Sequence, residues 1–153
     1  MGIYQLKKQQ SFEQPAEKLW DFISNPKNLK EITPDYMGFD ITSEEVVDEM
    51  YEGMIIHYKV SPIFGIKTNW VTEITHIKQG KYFVDEQIIG PYKLWHHQHF
   101  LEPTKNGTLM TDIINYKPPF GLLGNLANSF LIKGKLDEIF NYRCNKLNEI
   151  FGN

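Results

Sequence analysis

The feature that most constrains the fold is a series of alternating segments that fills the middle of the chain. Apolar and polar residues alternate along 66–76, with Trp70 on one face and Lys67 on the other. A two-residue period is typical of a half-buried antiparallel strand. Candidate strands separated by glycine, proline or asparagine lie at 37–43, 45–51, 53–61, 66–78, 81–89, 92–102 and 107–117. Because no helical window interrupts them, the sequence predicts a meander of sequential antiparallel neighbours.

The segments that flank this series predict one further strand and three helices. Residues 3–13 alternate as a first strand, and an apolar stripe over 16–23 predicts a helix that begins after Pro15. A second short helix is predicted from about residue 26 to 32, before a Thr-Pro pair. Apolar residues then recur at helical spacing from Leu123 to the end of the chain. They predict a C-terminal helix of about 28 residues, which is long enough to cross the sheet.

Length and composition limit the class of protein. We expect one domain over 1–153, since 153 residues suffice for one sizeable core. The net charge of −3 gives no basic surface for nucleic acid. We expect a cytoplasmic protein, because neither a signal-type segment nor a run of about eighteen apolar residues is present. Aromatic residues make up 14% of the chain, which favours an interior suited to organic rings.

The order of elements and one motif-rich stretch resemble a known superfamily. The residues that carry the resemblance are Phe83–Gln87, Gly90–Tyr92, Trp95–Phe100, Gly107-Thr108, Asp112, Tyr116 and Pro119–Gly121. They are similar to bacterial ligand-binding members of the SRPBCC superfamily, which joins polyketide cyclases, START lipid-transfer domains and birch-pollen-type allergens. The resemblance implies an α+β helix-grip fold of order β-α-α-β6-α, in which a bent antiparallel sheet wraps on the long C-terminal helix. It also implies a hydrophobic cavity between them, but no particular ligand.

Polar side chains in strands 81–89 and 92–102 predict a cavity that is not purely apolar. If Trp70 faces inward, the inward parity of these strands includes Asp85 and the two histidines of 97–99. A register error of one residue would exchange the faces, so the parity stays open. The predicted ligand-binding residues are Trp70, Gln87, Trp95, His97, His99, Asp112, Tyr116, Phe120, Leu126 and Phe130.

The histidines allow three interpretations. His97 and His99 project from the same face of a strand, as in strand-borne zinc sites, and Asp85, Asp112 or His57 could supply a third ligand. No second His pair or Cys cluster is present, so we expect no metal and no cofactor. Hydrogen bonds to Asp85 or Asp112 across the sheet account for the histidines more simply. The same groups could instead act as a catalytic acid–base pair on a bound ketone.

The leading hypothesis is a carrier or sensor that binds a small hydrophobic or aromatic molecule and has no obligate protein partner. The alternative is a cofactor-independent enzyme of the cyclase or dehydratase type, although the sequence contains no activated nucleophile. A module that binds another protein through its sheet face is a third possibility. The apolar turn segments Ile63–Gly65 and Pro118–Leu123 could make transient membrane contact or pack against the start of the helix.

Two features of the C-terminal helix lead to further expectations. Its charged residues are predicted to form a solvated face on which side chains three or four residues apart pair. These residues are Lys133, Lys135, Asp137, Glu138, Arg143 and Lys146. Gly134 either allows close approach of the sheet or a ligand, or is a tolerated surface glycine.

Overall fold

The computed structural model describes residues 2–44, 47–61, 65–119 and 131–152. Among these residues, seven strands form one antiparallel sheet in the order β1-β7-β6-β5-β4-β3-β2. The strands are β1 Tyr4–Phe12, β2 Asp40–Ile41, β3 Ile55–Val60, β4 Thr68–Lys78, β5 Tyr82–Ile89, β6 Leu94–Thr104 and β7 Gly107–Lys117. Strands β2 to β7 form the predicted meander, and β1 returns to pair with β7. The predicted α+β helix-grip fold is confirmed.

Two α-helices complete the described fold. The first, α1 (Ala16–Ile23), buries the side chains that the sequence placed on its apolar stripe. The second, α2 (Lys133–Phe151), lies across the concave side of the sheet, and its buried residues are Leu136, Ile139, Phe140, Leu147 and Phe151. These positions repeat at the spacing of one helix face, so α2 is held by packing against the sheet. No described helix is long and apolar enough to cross a membrane.

Several predicted boundaries differ from the structure. The second helix is a 3₁₀ helix, Pro26–Lys30, in which the side chain of Asn25 accepts the Lys27 N–H. The strand predicted at 37–43 is reduced to β2, because Gly38 takes a left-handed φ of 56° that ends a 3₁₀ turn over Asp35–Met37. No strand forms in 47–51, the described part of the strand predicted at 45–51.

The sheet is bent at the pairing of β4 with β5. Their register shifts between Val71 and Thr72 and again between Ile74 and His76. Such irregularities increase the local twist and bend of a strand. The bent sheet cannot pack flush against a straight helix along its whole length, so a space remains between α2 and the middle of the sheet.

A close contact between the β6–β7 turn and the end of β1 requires glycine. Gly107 has a φ of 146°, and a Cβ atom at this position would overlap the carbonyl oxygen of Phe12. Gly134 is different, because a Cβ there would meet nothing within 4 Å. Gly134 is therefore a surface glycine, and the close approach considered for it does not occur among the described residues.

Candidate functional site

A cavity of about 140 Å³ lies between the sheet and α2. Its described walls are largely apolar, and they include Leu29, Ile32, Met37, Phe39, Ile56, Val60, Trp70, Ile74, Phe83, Trp95, Met110, Leu136, Ile139 and Phe140. Engineered apolar cavities of about 150 Å³ bind benzene. The space is therefore suited to a molecule of about one ring, although drug-sized ligands occupy larger pockets of about 300 Å³ or more.

Aromatic side chains form the wall at one end of the cavity. The Trp70 ring packs edge-on against Trp95 with centroids 5.2 Å apart, and it is stacked with Tyr58 at 6.0 Å. The Thr72 hydroxyl accepts the Trp70 Nε1–H at 3.0 Å and shares a hydrogen bond of 2.9 Å with the Tyr58 hydroxyl. These polar atoms are thus satisfied within the protein, which leaves flat ring faces for contact with a ligand.

Two aspartates and two histidines on adjacent strands form a buried cluster, here called the His–Asp cluster: Asp85, His97, His99 and Asp112. Asp85 on β5 lies opposite His97 on β6, and His99 on β6 lies opposite Asp112 on β7. The Oδ1 atom of Asp112 lies 3.0 Å from His97 Nε2 and 2.9 Å from His99 Nδ1. The Oδ2 atom of Asp85 lies 2.8 Å from His99 Nε2 and 3.5 Å from His97 Nδ1. Each imidazole thus lies between two carboxylates.

The environment of the His–Asp cluster separates the pKa values of its histidines. Burial, together with the charge of His99, lowers the pKa of His97 to about 4. Burial also acts to lower the pKa of His99, but hydrogen bonds to Asp112 and Asp85 outweigh it and hold this pKa above its ordinary value. Burial acts to raise the pKa of each carboxylate, whereas the nearby histidines hold both values below the usual range. This favours a neutral His97, a cationic His99 and two ionised carboxylates at neutral pH.

Arg143 contributes a cation to the same cavity. It lies three residues after Phe140 and four before Leu147, on the buried stripe of α2, and it lines the cavity. Its Nε atom is buried and has no hydrogen-bond partner among the described residues, and its guanidinium carbon lies 4.9 Å from the Phe140 ring centroid. Arg143 was predicted to belong to a solvated face, but it is only partly exposed and lines the cavity. The helix period brings it to the cavity side, where its buried Nε–H lacks a partner among the described residues, and leaving a buried donor unpaired is costly.

The structure brings part of the predicted site together. Trp70, Trp95, His97 and His99 line the cavity, as does Asp85, which the sequence offered as a catalytic candidate. Asp112 is 4% exposed and lies behind the two histidines. Phe120, Leu126 and Phe130 lie outside the described residues, as do Ile63 and Phe64 of the apolar turns.

Two predicted ligand-binding residues face other partners. The Gln87 amide donates to the Tyr92 carbonyl at 2.7 Å and accepts the Tyr92 N–H at 3.2 Å, so it fixes the turn between β5 and β6. Tyr116 packs against Tyr4 and Tyr92, with ring centroids 5.8 Å and 6.0 Å apart. Neither Gln87 nor Tyr116 belongs to the described cavity lining. Both residues contact Tyr92, which does line the cavity.

Tyr58, Tyr92 and Arg143 are among the cavity-lining residues that sequence reasoning missed. Tyr92 lies in a turn, where no period assigns a face. The spacing of Arg143 within the stripe of Leu136, Phe140 and Leu147 was the available signal. His57, offered as a third metal ligand, is exposed, and His96, next to His97, pairs on the outer face with Glu86 at 2.7 Å.

Solved structures of other proteins share the fold of this chain. The protein called Ms6760 from Mycobacterium smegmatis superposes with a TM-score of 0.69 at 16% identity, covering 98% of this chain and 96% of that one. Ginseng major latex-like protein 151 from Panax ginseng gives a TM-score of 0.67 at 12% identity and 99% coverage of both chains. Such low identities show a shared fold alone.

The corresponding values for protein CV1439 from Chromobacterium violaceum are a TM-score of 0.71, 12% identity, and coverage of 97% of this chain and 98% of that one. No curated protein matches the sequence significantly. Residues 12–136 match the family described as polyketide cyclase / dehydrase and lipid transport. Because this match spans most of the sequence, the chain belongs to the polyketide cyclase / dehydrase and lipid transport family.

Proposed function

We propose that the protein is a carrier or sensor that binds one small, compact, apolar molecule with a carboxylate or similar acceptor group at one end. The observation that carries this proposal is the apolar cavity whose wall contains Arg143, whose Nε–H is buried and has no hydrogen-bond partner among the described residues. The family and the fold are consistent with ligand binding between sheet and helix. The volume and lining of the cavity support the proposed size and polarity of the molecule.

Two other polar side chains that line the cavity have partners of their own. The Asn28 amide donates to the Phe22 carbonyl at 3.0 Å, and the Thr33 hydroxyl donates to the Leu29 carbonyl at 2.6 Å. Among the described Lys and Arg residues, Arg143 is the cation that lines the cavity. An Arg guanidinium binds carboxylates through two parallel hydrogen bonds, and such charge-assisted bonds are strong where water is excluded. An acid therefore fits better than a neutral compound of the same shape.

The proposal is tested with a single-ring acid, 4-nitrobenzoate, which quenches tryptophan fluorescence. Trp70 and Trp95 line the cavity and report its occupancy directly. A hydrogen bond to a charged group contributes about 1.5–3 kcal/mol, so Arg143→Met is expected to raise the Kd for 4-nitrobenzoate about 10- to 100-fold. The matched control is Lys146→Met, which removes an exposed cation of the same helix that pairs with Glu149. This control should leave the Kd unchanged.

A neutral isostere separates the role of the charge from that of the cavity. We expect 4-nitrobenzamide to bind wild type and Arg143→Met with similar Kd values, because apolar contacts with the cavity wall supply most of its affinity. Equal loss of the acid in Arg143→Met and Lys146→Met would contradict the role of Arg143. Failure of both compounds to quench the wild-type protein would contradict the ligand class.

A further inference from the structure

We propose that Asp85, His97 and His99 bind one divalent transition-metal ion at the cavity wall. Within the described ranges, one ligand atom from each of these three residues lies within 4.8 Å of the others. Asp85 Oδ2 lies 2.8 Å from His99 Nε2 and 3.5 Å from His97 Nδ1. Bonds of about 2.1 Å at tetrahedral angles separate ligand atoms by about 3.4 Å, so small side-chain movements suffice.

Strand pairing explains why these atoms converge. Asp85 and His97 are direct partners across β5 and β6, and His99 projects from the same face two residues further along β6. Side chains on a strand alternate, so this arrangement needs no special loop. The sequence left the third ligand undecided among Asp85, Asp112 and His57. The register selects Asp85, because Asp112 lies behind the histidines and His57 is exposed on β3.

Asp112 orients both imidazoles toward this site. Its Oδ1 atom lies within hydrogen-bond distance of His97 Nε2 and His99 Nδ1. With protons on those two nitrogens, the lone pair of His97 Nδ1 faces Asp85 Oδ2. His99 Nε2 would offer its own lone pair once a metal ion displaces the proton that it shares with Asp85 Oδ2. Metal-binding histidines usually donate their second N–H to a carboxylate in this way.

The contact between His97 Nδ1 and Asp85 Oδ2 supports a cation between them. Its length of 3.5 Å exceeds the 2.7–3.2 Å of ordinary N–H···O hydrogen bonds. Two acceptor atoms that face each other in a buried site repel, and a bound cation would convert this contact into two favourable bonds. A divalent ion would also balance the charges of the Asp85 and Asp112 carboxylates.

Three protein ligands leave at least one coordination position open. Asp85, His97 and His99 all line the cavity, so this position faces the bound molecule. Two imidazoles and one carboxylate with an open position suit zinc or iron(II). The proposal goes beyond the proposed function, because metal binding requires only these residues and not the small molecule.

The test is a metal titration of ligand-free protein without an affinity tag, after treatment with a chelator. We expect calorimetry to show one Zn²⁺ per chain, and Co²⁺ to give the visible absorption bands of a four-coordinate ion. Asp85→Asn should weaken Zn²⁺ binding at least about 100-fold through loss of a ligand. Asp112→Asn should weaken it about 10- to 100-fold, as expected for an orienting carboxylate.

His96→Gln is the matched control, because His96 neighbours His97 on β6 but pairs on the outer face with Glu86. This variant should bind Zn²⁺ like wild type. Absence of Zn²⁺ binding and of Co²⁺ bands in wild-type protein with native circular dichroism would overturn the proposal. Equal loss of affinity in His96→Gln and Asp85→Asn would also overturn it. If a cluster variant fails to fold, NMR of wild type replaces it. Adding Zn²⁺ should shift the resonances of the His97 and His99 ring nitrogens, and unchanged resonances would overturn the proposal.

Discussion

A larger side chain on α2 that extends into the cavity should not lower the free energy of unfolding. The same enlargement of a side chain in the filled core should lower it. Ile139 lies on α2 and lines the cavity, while Leu147 lies on the same helix, is 0% exposed and does not line it. The cavity of about 140 Å³ corresponds to about 3 kcal/mol of lost packing at ~24 cal/mol per Å³. Part of this loss is recoverable by a larger side chain at position 139.

The magnitude for Ile139→Phe follows from its added atoms. Phenylalanine has about three more carbon atoms than isoleucine, and each buried CH₂ contributes about 0.8 kcal/mol. The free energy of unfolding should therefore rise by between 0 and about 2 kcal/mol, since the ring must also take a rotamer that fits the space. Leu147→Phe enlarges a residue in a filled core, and overpacking of this kind costs about 1–3 kcal/mol.

Urea denaturation followed by circular dichroism measures both changes. The midpoint of Ile139→Phe should equal or exceed that of wild type with an unchanged slope, and the midpoint of Leu147→Phe should fall. The reasoning is refuted if Ile139→Phe lowers the free energy of unfolding as much as Leu147→Phe does. That result would mean that the space beside α2 is already filled by side chains.

Three further variants test two glycine positions and the turn between β5 and β6. Gly107→Ala should lower the free energy of unfolding by about 3 kcal/mol or more, because the methyl group overlaps the Phe12 carbonyl at a φ of 146°. Gly134→Ala should raise the free energy of unfolding by about 0.5–1 kcal/mol, since the position is open and helical. Thermal or urea unfolding compares the two variants. Equal effects of the two substitutions would contradict this prediction. Gln87→Ala removes both hydrogen bonds to the Tyr92 backbone and should cost about 1–3 kcal/mol in the same assay, while a change below about 0.5 kcal/mol would show that the turn holds without them.

The sequence predicted the architecture because the period of its apolar residues changes at the correct places. The alternation around Trp70 identifies β4, and the helical spacing that ends at Phe151 identifies α2. Predictions failed where a local feature overrode the pattern. Gly38 shortened β2 through its left-handed conformation, which no apolar period reveals.

The candidate site was predictable only in part, since its geometry depends on contacts between strands. The sequence proposed hydrogen bonds between the histidines and Asp85 or Asp112, and the structure has such bonds at both. It could not supply the register that puts Asp85 opposite His97 and Asp112 opposite His99. Arg143 was missed because a charged residue on a helix is normally solvated. Its position on the cavity side is indicated only by its spacing from the buried apolar residues of α2.

The most direct test of the central claim, a cavity that binds one small apolar acid, is native mass spectrometry of the protein mixed with a panel of single-ring and short-chain carboxylic acids. Wild type should retain one acid per chain, and denaturation should release it. Ile139→Trp, whose indole group occupies the space beside α2, should retain none while staying folded. Retention of the same acid by wild type and Ile139→Trp, or by neither, would contradict binding in this cavity.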